Sequence, residues 1–286
     1  MGNGIFSGLE DLGLDLTSDD IFKSEADGAG SKKGGQGAKK EVKEEDFLFD
    51  KTYECPICGT EFKERTLRTG KARLLKTDID LRPTFEGIEP LKYDVVHCPH
   101  CGYTALTRFF GPMTNMQKKN IIEKICAHYC RQEKESVTYT YEEAIGRYKL
   151  ALANAMVRMA KTSEKAYICL RSGWLVRSYM DELEKNSDKN AAKIKEMKAL
   201  ETEFIKNAYE GFIAARESES FPMCGMDETT LDYLIATLAI RFDQLGVASK
   251  LIASILYNPS CNARIKDKAR DLKDEVLRLK KAKKDK

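Results

Sequence analysis

The chain has 286 residues, 42% of them apolar, which is enough to bury a substantial core. Its 48 basic and 45 acidic residues give a net charge of +3 at pH 7, so net charge alone indicates neither a nucleic acid nor a membrane as partner. No apolar run approaches the ~20 residues that a membrane-spanning helix needs. The start, MGNGIFSGLEDLGLDL, is acidic where a secretory signal is basic, so we expect a globular, cytoplasmic protein without membrane association.

Residues 1–46 predict a disordered acidic tail followed by a Gly/Lys-rich linker. Within the tail, four apolar residues recur at helical spacing among acidic ones: Ile5, Leu9, Leu12 and Leu16. Two interpretations stay open, a short docking helix that binds a protein partner and a disordered start with a few leucines. Gly8 and Gly13 each lower helix stability by about 1 kcal/mol, so the helix would form only against a partner surface.

Residues 47–112 predict a small β zinc ribbon. Two C-x-x-C pairs, each followed by Gly, present four thiolates from two tight turns: Cys55, Cys58, Cys98 and Cys101. We predict that they hold one structural zinc ion; iron suits the same tetrahedral thiolate set and is the less favoured alternative. Four thiolates close the coordination shell, so His97 and His100 are surplus and the site has no open position for chemistry. We expect metal removal to unfold residues 47–111 and to leave the helical half folded.

A basic segment lies between the two cysteine pairs: Arg65, Arg68, Lys71, Arg73 and Lys76. A local basic stripe is typical of a nucleic-acid contact, which makes this segment a candidate for one. The segment has no interleaved aromatic residues for base stacking, and the acidic stretch TDIDLRPTFEGIEP follows at once. Pairing between these basic and acidic side chains is the alternative.

Residues 113–286 predict an all-α domain, because long segments of 3.6-residue periodicity replace the strand-like patterns. The expected helices are Met113–Glu135, Tyr141–Lys161, Ser163–Lys185, Asn190–Glu217, Asp227–Leu245, Val247–Leu256 and Asn262–Ala282. The fold class is therefore mainly α. A weak internal repeat, Ala144, Tyr148 and Ala151 against Ala208, Phe212 and Ala215, favours a tetratricopeptide-like (TPR-like) helical repeat; an ordinary helical bundle remains the alternative.

Other residues of the helical half suggest sites less strongly. Cys126, His128 and Cys130 are close in sequence, but periodicity predicts a helix on which the two thiols are packed in the core. Trp174 is predicted to anchor the core; a concave groove that uses Arg171, Trp174 and Arg177 to bind a partner is the alternative. We find no catalytic motif and no small-molecule site.

The region from Tyr53 to Leu279 resembles the bacterial family called domain of unknown function 2225. The resemblance is carried by Cys55, Pro56, Cys58, Phe62, Asp78, Asp80, Gly87, Pro90, Tyr93, Cys98, Pro99, Cys101, Gly102 and Tyr103. The helical segments YKLAL and LRSGWLVRSY are similar to the family's C-terminal half. This resemblance implies a ribbon-plus-helical-repeat architecture and a bacterial cytosol, and no activity.

From these patterns we expect a non-enzymatic scaffold or adaptor whose metal is structural and whose helical surface binds a protein or peptide. The runner-up is a nucleic-acid-binding regulator that uses Arg65 to Lys76.

Overall fold

The computed structural model describes residues 43–129 and 137–285, without the side chains of 186–188. The predicted tail helix, with Ile5, Leu9, Leu12 and Leu16, lies outside these residues, as does Cys130. The strands are β1 Leu48–Glu54, β2 Glu61–Leu67, β3 Leu74–Thr77, β4 Pro83–Phe85, β5 Val95–His97 and β6 Thr104–Leu106. The helices are α1 Asn115–Lys124, α2 Tyr141–Val157, α3 Thr162–Leu183, α4 Ser187–Ser218, α5 Glu228–Arg241, α6 Leu245–Tyr257 and α7 Ala263–Lys284.

The strands form three antiparallel pairs, β1 with β2, β3 with β4 and β5 with β6. Alternation along β2 buries Phe62 and Glu64 on one face, and Phe62 stacks on Tyr53 of β1 with ring centroids 6.1 Å apart. Val95 and Leu106, which face each other across β5 and β6, belong to the same hydrophobic core as the helices. The β-rich region is therefore packed against the helical half.

The mainly α fold class is confirmed, and the helix bounds follow the sequence periodicity closely after residue 140. Thr140 caps α2, because its hydroxyl accepts a hydrogen bond from the Glu143 N–H and the Glu143 carboxylate accepts one from the Thr140 N–H. Among the described helices, none combines the length and the apolar character that crossing a bilayer requires.

The first helix is shorter than predicted. It ends at Lys124, and Cys126–His128 form a 3₁₀ turn, so the expected α-helix through Cys126 is wrong. The turn directs Tyr129 onto Gly102, where a Cβ atom would approach the Tyr129 ring to 2.5 Å. Tertiary packing on the second cysteine turn thus replaces the helix that local periodicity indicates.

The residues of the predicted internal repeat lie in the core. Ala144, Tyr148 and Ala151 of α2 are buried, and so are Ala208, Phe212 and Ala215 of α4. This burial is expected of a TPR-like repeat and of an ordinary bundle, so the TPR-like assignment stays a prediction.

The close approach of α3 and α4 depends on two glycine residues, which have no side chain. A Cβ atom at Gly211 of α4 would lie 2.8 Å from the Cβ atom of Ala166 on α3. At Gly173 of α3 it would lie 2.5 Å from the Ile205 side chain. These glycines let the two helices lie against each other along their length.

The loop between β3 and β4 contacts the helical half through charged groups, some of them buried. Asp80, 4% exposed, lies 2.7 Å from Arg177 of α3 and accepts a hydrogen bond from the Trp174 indole N–H at 3.3 Å. Arg177 also donates to Glu201 of α4, which pairs in turn with Arg241 of α5. The carboxylates and guanidinium groups therefore form one chain from the loop across three helices.

We predict that Gly211→Ala destabilises the protein by about 1–3 kcal/mol, because the added methyl group overlaps Ala166. Gly146→Ala in α2 is the matched control: a Cβ atom there meets nothing within 4 Å, so higher helix propensity should raise stability by about 0.5–1 kcal/mol. Urea unfolding followed by circular dichroism measures both. Equal effects of the two substitutions would contradict the packing argument.

We predict that Asp80→Asn costs about 3 kcal/mol of unfolding free energy, because it leaves the half-buried Arg177 with less compensating charge. Asp267→Asn, which breaks the exposed pair with Arg270, should change stability by less than about 1 kcal/mol. Denaturant titrations of both variants test this. A cost at Asp80 no larger than that at Asp267 would show that the buried network is not important for stability.

Candidate metal centre

Two turns of the same geometry present the four predicted cysteines. In the first, the Gly59 N–H donates to the Cys55 carbonyl at 2.9 Å, and the Cys55 N–H donates to the Thr60 carbonyl at 3.1 Å. In the second, Gly102 and Cys98 make the corresponding bonds at 3.0 and 2.9 Å. Gly59 and Gly102 have φ of 69° and 78°, a left-handed conformation that Gly adopts without strain. The C-x-x-C-G sequence is what permits each turn.

The turns bring the four sulfur atoms into one cluster. The Sγ atoms of Cys55, Cys58, Cys98 and Cys101 all lie within 4.8 Å of one another. The separations are 3.6 Å between Cys55 and Cys101 and 3.7 Å between Cys58 and Cys98. A tetrahedron with metal–sulfur bonds of ~2.3 Å has edges of about 3.8 Å, so these residues fit a four-coordinate ion. The separations are far longer than the ~2.05 Å of a disulfide bond.

Before a metal binds, the thiols share their protons unequally. Hydrogen bonds with Cys101 and then with Cys55 lower the pKa of the Cys98 thiol. The pKa of Cys101 is raised, mainly by its hydrogen bonds with Cys55 and Cys98. For Cys55, the hydrogen bond with Cys101 acts to lower the pKa, but the bond with Cys98 and burial outweigh it and raise the pKa to about 12. Metal binding must therefore displace protons, so affinity falls as the pH decreases.

The two histidines beside the second turn lie outside the sulfur cluster. The ring nitrogens of His97 lie 2.7 Å from the Thr104 hydroxyl and 3.0 Å from the Tyr129 hydroxyl. His100 is exposed between the two cysteines. The structure thus engages His97 in a hydrogen-bond network that supports the turn.

A fifth cysteine covers the cluster, which the sequence did not indicate. Cys126 packs with Cys55, Cys98 and Cys101 in a small apolar group. Burial raises the pKa of its thiol, while a hydrogen bond with Cys101 acts in the opposite direction. Cys126 reaches this place only because α1 ends at Lys124 and the chain turns. The predicted helix through Cys126 did not indicate a position beside the sulfur cluster.

The predicted basic segment is distributed around the β-rich region. Arg65 pairs with Asp50 at 3.0 Å, Arg73 with Glu86 at 3.5 Å and Lys76 with Asp78 at 3.7 Å. Arg68 donates to the Leu48 carbonyl, and Lys71 is exposed in the turn before β3. Three of the five basic side chains therefore have acidic neighbours that offset their charge.

The predicted groove residues are engaged within the chain. Trp174 and Arg177 contact Asp80 as described above, and Arg171 lies 2.7 Å from Asp94. Trp174 is buried in the main hydrophobic core. The structure brings these three side chains to the junction of the β-rich region and α3.

Sequence reasoning missed the residue that ties the ribbon to α2. Glu64 of β2 is buried and accepts hydrogen bonds from Arg147 at 2.5 Å, from the His97 N–H at 3.2 Å and from the Tyr139 hydroxyl. A carboxylate on the apolar face of β2, beside Phe62, was the available signal, because an acid is buried only when it is paired.

We predict that Cys101→Ser retains less than about one tenth of the metal held by the unsubstituted chain at equal chelator concentration, because the hydroxyl replaces one thiolate. Cys126→Ser is the control and should keep one equivalent per chain. Because the ribbon shares the helical core, metal loss should also lower the melting temperature of the helices. Metal analysis and circular dichroism measure both effects; equal metal retention by the two variants would exclude the four-cysteine site.

The comparisons with known proteins agree with the resemblance noted from the cysteine turns. No curated protein and no solved structure matches the chain significantly. The family described as "Uncharacterized protein conserved in bacteria (DUF2225)" matches residues 48–276, from the start of β1 into α7, and so spans both the sulfur cluster and the helices. The chain belongs to this bacterial DUF2225 family.

Proposed function

We propose that this protein is a non-enzymatic interaction protein, a scaffold or adaptor, in which one zinc ion is structural and the helical surface binds a protein partner. The sulfur cluster carries the proposal. Four thiolates satisfy the tetrahedral preference of zinc and leave no coordination position for water or substrate. We prefer zinc to iron because zinc has no redox chemistry, and a closed structural site needs none.

The structural role proposed for the metal follows from the two β-hairpins that the cysteine turns close. Cys55 and Cys58 close the β1–β2 hairpin, and Cys98 and Cys101 close the β5–β6 hairpin. A bound ion would hold the two hairpins together, with Glu64 placed to reach Arg147 of α2. The ion would thus help to fix the β-rich region on the helices.

The helical half supports binding of a partner through its architecture. Helices α3 to α7 contact one another in chain order, as expected of a TPR-like array that presents extended surfaces. The tail residues Ile5, Leu9, Leu12 and Leu16 would add a second docking element. The eight described cysteines are free of disulfides, which supports operation in the cytoplasm.

Nucleic-acid binding is the second candidate, and one observation favours it. The β3–β4 hairpin is exposed on both faces of β3, and Lys71, Arg73 and Lys76 project from it. The ion pairs of Arg73 with Glu86 and of Lys76 with Asp78 weaken its positive potential, which places this function behind protein binding.

The test is reconstitution of a defined complex. The tagged full chain is used to isolate a binding protein from its bacterial source, the candidate is purified, and the two are mixed and analysed by size-exclusion chromatography with light scattering. We expect a complex of fixed stoichiometry. A variant without residues 1–27 shows whether the tail contributes to the affinity.

Nucleic-acid binding is measured in parallel with single- and double-stranded oligonucleotides over a range of salt. The matched variant Lys71→Glu/Arg73→Glu should leave the protein complex unchanged. Salt-dependent oligonucleotide binding that this variant abolishes, with no stoichiometric protein complex, would overturn the proposal in favour of the second candidate.

A further inference from the structure

The last two helices leave an apolar groove between them. Helix α7 packs on α5 and α6, and its Ala269, Leu272 and Val276 are buried. Beyond this contact, Leu277 of α7 and Tyr257 of α6 are 56% and 88% exposed. Together with Ile252, Ala253 and Leu256, they line a groove of about 520 Å³, here called the α6–α7 groove. Single exposed apolar residues are ordinary, but apolar residues gathered in one groove make it a candidate binding surface.

The dimensions of the groove suit a helix. Its α6 side runs from Ser249 to Tyr257, about two helical turns or ~12 Å. Two turns of a partner helix present apolar side chains at positions i, i+3 or i+4, and i+7. The buried Ile252 and Val276 form an apolar floor, and the exposed Leu277 lies beside them.

The groove is bordered by positive charge. Lys273 and Lys280 line it from α7, two turns apart, and neither forms an ion pair with a carboxylate in the part of the chain that the structure describes. Lys280 donates instead to the Ser249 hydroxyl at 2.7 Å across the groove. A second depression next to it is lined by Lys250, Lys283 and Lys284, of which Lys283 pairs with Asp243 in the same depression. An apolar floor between lysines complements an amphipathic helix with acidic flanks.

We propose that the α6–α7 groove binds an amphipathic helix of a partner protein, with its apolar stripe on Ile252, Leu256 and Leu277 and its acidic flanks on Lys273 and Lys280. This inference rests on the proposed function and names the partner's chemistry. A second copy of the same groove is a poor occupant, because its lysines would face these lysines. A phosphate backbone would pair with the lysines and leave the apolar floor uncovered.

The test uses the full chain and a designed fluorescent peptide. The peptide has leucines at i, i+3, i+4 and i+7 over four turns and glutamates at the remaining exposed positions; a second peptide carries lysines in place of the glutamates. Fluorescence anisotropy should show saturable binding of the acidic peptide that weakens with salt, and no binding of the basic one. Equal binding of the two peptides would overturn the proposal.

Two variants test the location. Lys273→Glu/Lys280→Glu should weaken binding of the acidic peptide by about tenfold or more, and Leu277→Gln should weaken it at low and high salt alike. The matched control, Arg264→Glu/Arg278→Glu, makes the same change of net charge on the opposite face of α7, at ~100° per residue, and should leave binding unchanged. All three variants should keep the far-ultraviolet spectrum of the unsubstituted chain.

The remaining outcomes separate this proposal from the general one. If the groove variants do not change binding of the acidic peptide, the binding site lies elsewhere on the chain and the assignment to the groove is overturned. Protein binding would then remain the proposed function. No peptide binding would overturn the inference, while reconstitution of a native complex would still decide the proposed function. Binding that appears only after removal of residues 1–27, or that dissociates a dimer of the chain, would assign the groove to a segment of this chain or to a second copy, and would overturn the assignment to a partner.

Discussion

The buried carboxylate of Asp80 is the constraint on which the relation between the β-rich region and the helices depends. Asp80 reaches Arg177 and Trp174 of α3, and through Arg177 it is linked to Glu201 and Arg241. A charge is buried at this depth only if it is paired, so these contacts constrain where the loop before β4 lies on the helices. Leu81 holds a left-handed φ of 68° in that loop, a conformation that persists because the neighbouring contacts determine it.

The sulfur cluster holds both ends of the segment between Cys58 and Cys98, and the Asp80 network holds its middle. The chain between Cys58 and Cys98 is long for a zinc ribbon, yet it is not a free loop: its Glu64 binds Arg147, its Asp80 binds Arg177, and its Arg82 lies 2.8 Å from Asp181. Closing so long a loop costs little more than closing a short one. The insertion supplies the charged groups that join the ribbon to α2 and α3, so a metal bound at the sulfur cluster would act on contacts beyond its own turns.

The sequence predicted those features that depend on local spacing. Two C-x-x-C-G turns suffice to place Cys55 and Cys98 in one cluster, and 3.6-residue periodicity suffices for α3 and α4. It did not predict the pairing of Asp80 with Arg177, because the partners are 97 positions apart and only the folded chain brings them together. Cys126 was placed on a helix for the converse reason: local periodicity favoured the helix, and packing of Tyr129 on Gly102 favoured the turn.

Arginine and lysine are distributed differently: arginines pair with carboxylates at the junction of the β-rich region and the helices, and lysines border the α6–α7 groove. Arg147, Arg171 and Arg177 bind carboxylates at the junction, where the planar guanidinium group makes several hydrogen bonds at once. Lysines instead border the α6–α7 groove. Helix α7 keeps Leu277 exposed beside Lys273 and Lys280, which is the combination of apolar and basic groups on which the proposed role of the α6–α7 groove rests.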